Sequence, residues 1–408
     1  MNRWSRYASR ARSCAWAVAC LVGLIAASRL SAAPASITLS TTHQTIRGFG
    51  GAFAWLGQLT DANMNVLYGT GAGTIGLNIY RARISPSGSS AWNDELQNAK
   101  KTVARGGIVI ASPWTPQASM KSNNNTVGGR LNTNQYGAYA TYLQSFVNYM
   151  STNGVSLYAI SIQNEPDIQV TYESCDWTAQ EMLNFARSNA NAISTRVIMC
   201  ESFNFKKSYT DPILNDSQAR ANIDIVGGHI YGGGLSDYPL ARNNGKEVWM
   251  TEHLNTDVSI TGIIQTAKEM VDCMAVGNYN AYLWWYLKRS YGPIDDNGNR
   301  TKRGCVMAQF ARWVRPGYVR VAATYNPSTN IYVCAFKSGN LVRIVAVNTG
   351  TSSVNQQFNI AGGTLPTSVQ RYRTSSSEDL ATLGSISVSN GSFTTSLPGR
   401  SITTFVSP

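Results

Sequence analysis

From about residue 46 onward, short apolar runs rich in β-branched residues alternate with segments whose apolar positions recur every three to four residues. The runs lie at 47–54, 77–85, 108–114, 157–166, 196–202, 224–231, 247–253 and 280–287. Between most of them stand helix-like patterns. One is 136–150, with apolar Tyr139, Tyr142, Leu143, Phe146 and Met150 on one face; another is 179–193. Eight strand-then-helix units predict an α/β fold, a closed (β/α)8 TIM barrel.

After Pro316 the helical period stops. Short alternating strands at 331–337, 341–347, 356–360, 368–372 and 401–406, separated by Gly, Asn, Ser and Thr turns, predict a side β-sandwich. The segment 36–45 also reads as a strand and is expected to join that sandwich. The expected division is a leader at 1–35, a sandwich strand at 36–46, the barrel at 47–316 and the sandwich at 317–408. Tyr318, Tyr325, Tyr332 and Tyr372 are read as packing residues, which makes the sandwich a brace for the barrel, the alternative being a carbohydrate-binding module in which they stack on sugar.

The first 35 residues carry Arg3, Arg6, Arg10 and Arg12, then an apolar stretch of about 14 residues, too short to span a bilayer, then small residues. This is the pattern of a secretory signal peptide and predicts a secreted, extracellular protein, with cleavage open between Ala33 and Ala35. Removing it changes the charge picture. The formal net charge falls from +12 to +7, because five arginines and no acidic residue lie in the leader. The remaining charge suits an acidic partner such as a uronic-acid polymer or an anionic surface, or serves only solubility, and with no long Lys/Arg run nucleic acid is not an expected partner.

Five cysteines follow the leader: Cys175, Cys200, Cys273, Cys305 and Cys334. They form no CxxC pair, and His43, His229 and His253 make no HExxH-type ligand set, so no metal and no cofactor is expected. Cys175 and Cys200, at the ends of two consecutive predicted strands, are the expected disulfide. Gly71-Ala72-Gly73-Thr74-Ile75-Gly76 matches the dinucleotide fingerprint GxGxxG. A helical pattern precedes it and a strand follows, the reverse of what phosphate binding needs, so it is read as a loop.

The chemistry gathers at strand ends. The fourth run climbs through Ile160 and Ile162 to Asn164-Glu165, and the seventh through Val248-Trp249-Met250 to Thr251-Glu252. A carboxylate at the C-terminal end of a buried barrel strand is costly unless paired or functional, and strands four and seven face one another across the mouth. Two close carboxylates suit a retaining glycosidase. Trp55, Trp114, Tyr231, Trp284, Trp285 and Tyr291 crowd the same ends and offer flat faces for sugar rings.

These residues resemble the glycosidase clan with catalytic glutamates on strands four and seven, and within it glycoside hydrolase family 30, in its glucuronoxylanase branch. The resemblance runs from about Ile46 to the end. It is carried by Ile46-Arg47-Gly48-Phe49-Gly50-Gly51, Ala111-Ser112-Pro113-Trp114, Leu157 to Pro166, Asp211-Pro212-Ile213-Leu214-Asn215-Asp216, Trp249-Met250-Thr251-Glu252 and, most specifically, Trp284-Trp285-Tyr286-Leu287-Lys288-Arg289-Ser290-Tyr291-Gly292-Pro293. It implies Glu165 as acid/base and Glu252 as nucleophile. Asn164 would hold the sugar 2-hydroxyl, and Arg81 would keep Glu252 ionised. Arg289 would take the carboxylate of a 4-O-methylglucuronosyl branch, with Trp285, Tyr231 and Ser236 as companions.

The implied protein is a retaining, monomeric endo-β-1,4-glucuronoxylanase, free of cofactors and bound to no membrane once its leader is gone. Leu254 departs from the pattern where relatives carry a tyrosine. Two other readings therefore stay open: a hydrolase of xylan or another β-glycan without uronic-acid dependence, and a non-catalytic carbohydrate-binding protein.

Overall fold

The computed structural model describes residues 33–408, so the leader reading falls almost wholly outside the described residues. Seventeen strands follow in chain order. β1 is Ala35–Thr45. The barrel strands are β2 (Gly48–Ala52), β3 (Ile79–Ile84), β4 (Ile108–Pro113), β5 (Ala159–Ser161), β6 (Arg196–Ser202), β7 (Ile225–His229), β8 (Glu247–Glu252) and β9 (Ala281–Tyr286). They close in sequence order as a parallel barrel, β9 pairing back onto β2. The eight predicted runs are these eight strands. The glycine-rich stretch 71–76 is the loop between the helix Asp61–Tyr68 and β3, as its flanking pattern indicated.

Strand periodicity divides the barrel into an apolar floor and a charged ceiling. Ile79, Ile110, Ala159, Ile198, Ile225, Trp249, Ala281 and Leu283 form one buried cluster inside the barrel. Two residues further along their strands, on the same face, stand Arg81, Ser112, Ser161 and Thr251, all fully buried. The alternate residues, such as Tyr80, Val109, Ile160, Met250 and Trp284, point outward into the layer shared with the helices. β2 is nearly all glycine and alanine because the barrel is tight there: a Cβ on Gly50 would collide with the Ile79 carbonyl. Trp284 thus belongs to the outer core, while Trp285 turns toward the mouth.

β10 (Val319–Ala323), β11 (Ile331–Ser338), β12 (Leu341–Asn348), β13 (Val354–Ala361), β14 (Ser368–Thr374), β15 (Ala381–Ser387), β16 (Ser392–Leu397) and β17 (Ser401–Val406) form one nine-stranded sheet with β1. β1 lies between β10, antiparallel, and β13, parallel. The sheet doubles over on itself: Phe358 and Phe393 of one end stack at 4.9 Å, and both meet Phe405 of β17 at 5.0 and 5.2 Å. The two arms therefore enclose a core as a sandwich does.

Its other face packs on the barrel through the tyrosines named above. The Tyr325 hydroxyl donates to Asp272 at 2.6 Å, and Tyr372 stacks on Trp313 at 4.2 Å. Among the described residues no helix is long and apolar enough to cross a membrane.

Phe393→Ala should open the sandwich core where both arms meet and cost about 3–5 kcal/mol of stability. Urea denaturation followed by tryptophan fluorescence measures it, and a loss under about 1 kcal/mol would mean the arms do not depend on this contact.

Candidate active site

The site starts from Arg81. Its side chain rises from β3 into the barrel, fully buried, where a lone guanidinium would be prohibitively costly. Every direction of the fork is occupied. Nη1 donates to Glu252 Oε2 at 2.6 Å, Nη2 to Asn164 Oδ1 at 2.7 Å, and Nε to Ser112 Oγ at 3.1 Å. Glu201 at the end of β6 stands 3.2 Å from Nη2 and accepts from Ser112 Oγ at 2.7 Å. Gly227 on β7 leaves the space that Glu201 fills, since a Cβ there would lie 3.2 Å from the Glu201 Cγ.

Glu165 follows β5 with φ of 45°, a left-handed conformation that aims its carboxylate across the mouth. Its backbone N–H donates to the Glu201 carbonyl at 3.0 Å. His229 Nδ1 lies 2.8 Å from Glu165 Oε1, 3.9 Å from Glu252, and its Nε2 is 3.9 Å from Glu201. The Tyr231 hydroxyl donates to Glu252 Oε1 at 2.9 Å, and the Tyr172 hydroxyl reaches Glu165 Oε2 at 3.4 Å. Carboxylate oxygens of Glu165 and Glu252 lie within 4.8 Å of each other, the close spacing of a double-displacement site.

The electrostatics follow from crowding. Burial alone would lower the His229 imidazole, but the carboxylates of Glu252, Glu165 and Glu201 around it raise its pKa to about 9. Burial opposes ionisation of Glu201 as well, and Arg81 with His229 overcomes it, holding that carboxyl well below the usual range. For Glu252 burial wins. It lifts the carboxyl above its ordinary value, the like charge of Glu165 acts in the same sense, and His229, Arg81 and the Tyr231 hydroxyl pull against them. Arg81 therefore stands where expected, beside Glu252, and opposes the upward shift that burial imposes on it.

The carboxyl groups of Glu165, Glu201 and Glu252 thus converge on Arg81 and His229 in one buried cluster. Glu165, His229 and Glu252 also present ligand atoms to a common point. A cation there would compete with Arg81 and with the proton on His229, and the donor set suits proton transfer better than metal binding.

Above the charges, Trp55, Trp114, Tyr172, Phe203, Tyr231, Leu254, Trp285 and Tyr286 wall a cleft of about 500 Å³ around the two glutamates. Trp55, Trp114 and Trp285 meet one another at 5.2 to 6.4 Å. The Arg83 guanidinium lies 4.6 Å over Trp55 and is paired with Glu173, so the most exposed of the three is still held in place. The structure brings together Glu165, Glu252, Asn164, Arg81, Trp55, Trp114, Tyr231 and Trp285. Arg289 sits one side chain further out, 4.6 Å over the ring of Tyr286, with Tyr291 beside it in a small neighbouring pocket.

Two expectations are corrected. Ser236 is not brought to the cleft: three glycines with positive φ, Gly232 to Gly234, turn the chain away after β7, and the Ser236 backbone pairs with the Tyr279 hydroxyl. Cys175 and Cys200 are free. Cys200 lies within β6 with its thiol toward the Tyr209 carbonyl, whereas Cys175 stands in the long loop after β5 and closes no strand. Burial pushes both thiols up to about 12.

Sequence reasoning missed Glu201, His229, Tyr172, Phe203 and Tyr286. Glu201 carried a readable signal, because Val197-Ile198-Met199-Cys200-Glu201 repeats the apolar climb to a glutamate seen on strands four and seven.

A closed barrel with paired carboxylates under an aromatic cleft defines a retaining glycoside hydrolase. The model for the glycosyl hydrolase family 30 TIM-barrel domain matches residues 92–248. Glucuronoxylanase XynC of Bacillus subtilis (strain 168) is 43% identical over 393 residues, 92% of each chain. Among solved structures, the family 30 subfamily 8 xylanase Xyn30A of Clostridium acetobutylicum superposes with a TM-score of 0.88 at 45% identity, covering 91% of this chain and 99% of that one. A family 30 endoxylanase of Clostridium papyrosolvens C71 gives 0.86 at 45% identity over 92% and 99%. The chain belongs to glycoside hydrolase family 30.

Glu201→Gln removes a counter-charge from both Arg81 and His229 without touching the cleft wall. It should lower kcat on the order of 10²-fold through misplacement of Glu252, with little change in KM, and move the alkaline limb of the pH–rate profile below about 9. An unchanged limb would separate Glu201 from His229. The His229 pKa is raised in the folded state, so its stabilising contribution is full below the unfolded value of 6.5 and is lost as pH rises through about 9. Urea denaturation at pH 6 and pH 9.5 should show this loss in the natural protein and not in His229→Gln.

Proposed function

We propose that this enzyme is a secreted endo-β-1,4-glucuronoxylanase, which cuts xylan at a position fixed by a 4-O-methylglucuronosyl branch. The observation that carries this reading is Arg289. Its guanidinium lies over the Tyr286 ring at the edge of the catalytic cleft and has no carboxylate partner among the described residues. A fixed, unpaired guanidinium beside a sugar-binding cleft suits a substrate that brings its own carboxylate. The names of the relatives, a glucuronoxylanase and two xylanases, support the same substrate class.

In the first step Glu165 gives its proton to the leaving glycosidic oxygen while the ionised Glu252 attacks the anomeric carbon, forming a glycosyl–enzyme ester. In the second, Glu165 takes a proton from water, which attacks the same carbon from the leaving-group side and frees Glu252 with configuration retained. Asn164, held by Arg81, is positioned to meet the sugar 2-hydroxyl. His229 returns positive charge to Glu165 while it is anionic between the steps. Tyr231 and Arg81 hold both oxygens of Glu252 and aim its attack.

The leader pattern supports secretion. A second reading, xylan hydrolysis without dependence on the branch, draws on Leu254, which lines the cleft and offers no hydroxyl to a uronic acid.

Mass spectrometry of products from glucuronoxylan and from linear xylan decides between them, with Glu252→Gln as the inactive reference. We expect products each bearing one uronic acid at a fixed position and little cleavage of linear xylan. Arg289→Ala should lower kcat/KM on glucuronoxylan by about 10- to 100-fold through loss of a charge-assisted pair. Equal cleavage of both polymers would favour the second reading.

A further inference from the structure

A second cavity, of about 720 Å³, opens between the sandwich and the N-terminal side of the barrel, on the face away from the catalytic mouth. Its lining includes His43 and Gln44 of β1, Asp237, Arg242, Asn278 just before β9, and Arg320 of β10. Arg320 is 6% exposed, yet no carboxylate pairs with it. Its Nε donates to Gln44 Oε1 at 2.9 Å and its Nη2 to Asn278 Oδ1 at 2.5 Å, which leaves Nη1 without a partner among the described residues.

Neutral acceptors orient this guanidinium without neutralising it, and Gln44 is itself pinned by its amide N–H groups on the carbonyls of Met274 and Tyr279. The nearest acid, Asp237, is taken up on both oxygens by Arg242 and accepts in addition from Asn278. Burial lowers the Arg320 pKa to about 10, and burial together with the positive charges of Arg320 and Arg242 lowers that of His43.

A buried cation without a counter-ion is an expensive arrangement to keep unless an anion comes to it. A bare ion does not need a space of this size, which falls in the range of small-molecule sites. We propose that this cavity is a second sugar-binding site, in which Arg320 receives the carboxylate of a uronic acid and Asn278, Gln44 and His43 frame the ring. The assignment of a uronic acid rests on the substrate class proposed above. The site would hold a second branch of the same polymer, or a released acidic product, on the face opposite the catalytic cleft.

The test is isothermal titration calorimetry of the mature protein with glucuronic acid, xylobiose and inorganic phosphate, in the natural sequence, Arg289→Ala and Arg320→Gln. We expect two glucuronic acid binding events in the natural sequence, one lost in Arg289→Ala and the other retained there but weakened at least about tenfold in Arg320→Gln, as for loss of a charge-assisted pair. Xylobiose and phosphate should show no dependence on Arg320. Arg320→Gln should leave cleavage of short branched xylo-oligosaccharides unchanged.

Where Arg320→Gln fails to fold, Asn278→Asp supplies an internal counter-ion and should abolish the same binding. Binding that depends on Arg289 alone overturns this proposal and leaves the cleft reading intact. Dependence on Arg320 alone supports this site and argues against the branch-dependent reading of the cleft. Phosphate held through Arg320 as tightly as glucuronic acid overturns the assignment to a sugar, and no glucuronic acid binding at all overturns it together with the reading of Arg289.

Discussion

Everything at the mouth of this barrel depends on one buried guanidinium. Arg81 cannot sit where it does without partners, and the partners it requires are those that arrange the chemistry: Glu252, Asn164, Ser112 and Glu201 come from four other strands or strand ends and converge on one fork. A planar group with fixed donor directions transmits position more strictly than a lysine would. Asn164 and Glu252, which approach the sugar from different strands, are thereby held to a common frame. The glycines of β2 and Gly227 serve the same end, since a closed barrel with a charged interior layer needs small residues where the large ones press in.

The unequal treatment of the glutamates follows from this frame. Both are nearly buried, but Glu252 has an arginine and a tyrosine hydroxyl on its two oxygens, whereas Glu165 has a histidine on one and a long contact to Tyr172 on the other. Glu252 is thus stabilised by fixed donors suited to a group that must attack as an anion. Glu165 faces an imidazole that can follow its charge through the cycle. Desolvation works against the first of these, which is why Glu252 lies above rather than below its ordinary range before substrate enters. The net effect is a site that gathers charge into one buried layer.

The barrel was readable because its signals are local. Alternation within strands and the 3.6-residue pattern between them each act over a few residues, so all eight strands stand at the expected places. Glu165 and Glu252 were legible for the same reason, as polar ends of apolar runs. What escaped depended on long-range packing. His229 follows Ile225-Val226-Gly227-Gly228, an apolar run that hides how the ring meets three carboxylates from other strands. Ser236 was placed by resemblance, and the backbone freedom of Gly232, Gly233 and Gly234 carried it elsewhere. Cysteine pairing failed on geometry, because spacing along the chain says little about which way a thiol points from a strand or loop.

The two faces of the barrel share a theme that alternation along the strands makes possible. An apolar floor of isoleucines, alanines, Leu283 and Trp249 separates the catalytic charges above from the polar junction with the sandwich below. Arg81 above is fully neutralised by its own chain, whereas Arg289 at the rim and Arg320 at the junction are oriented by neutral or aromatic neighbours and keep their charge. A protein bears the cost of an unpaired guanidinium only where a ligand repays it or solvent shares it. Arg320 is 6% exposed and lines the cavity with its Nη1 unpartnered among the described residues, and β1, which places Gln44 beside it, is also the strand that ties the start of the described residues into the sandwich. The junction is thus built from the same residues that brace the barrel, and the charge held there is fixed as firmly as the fold itself.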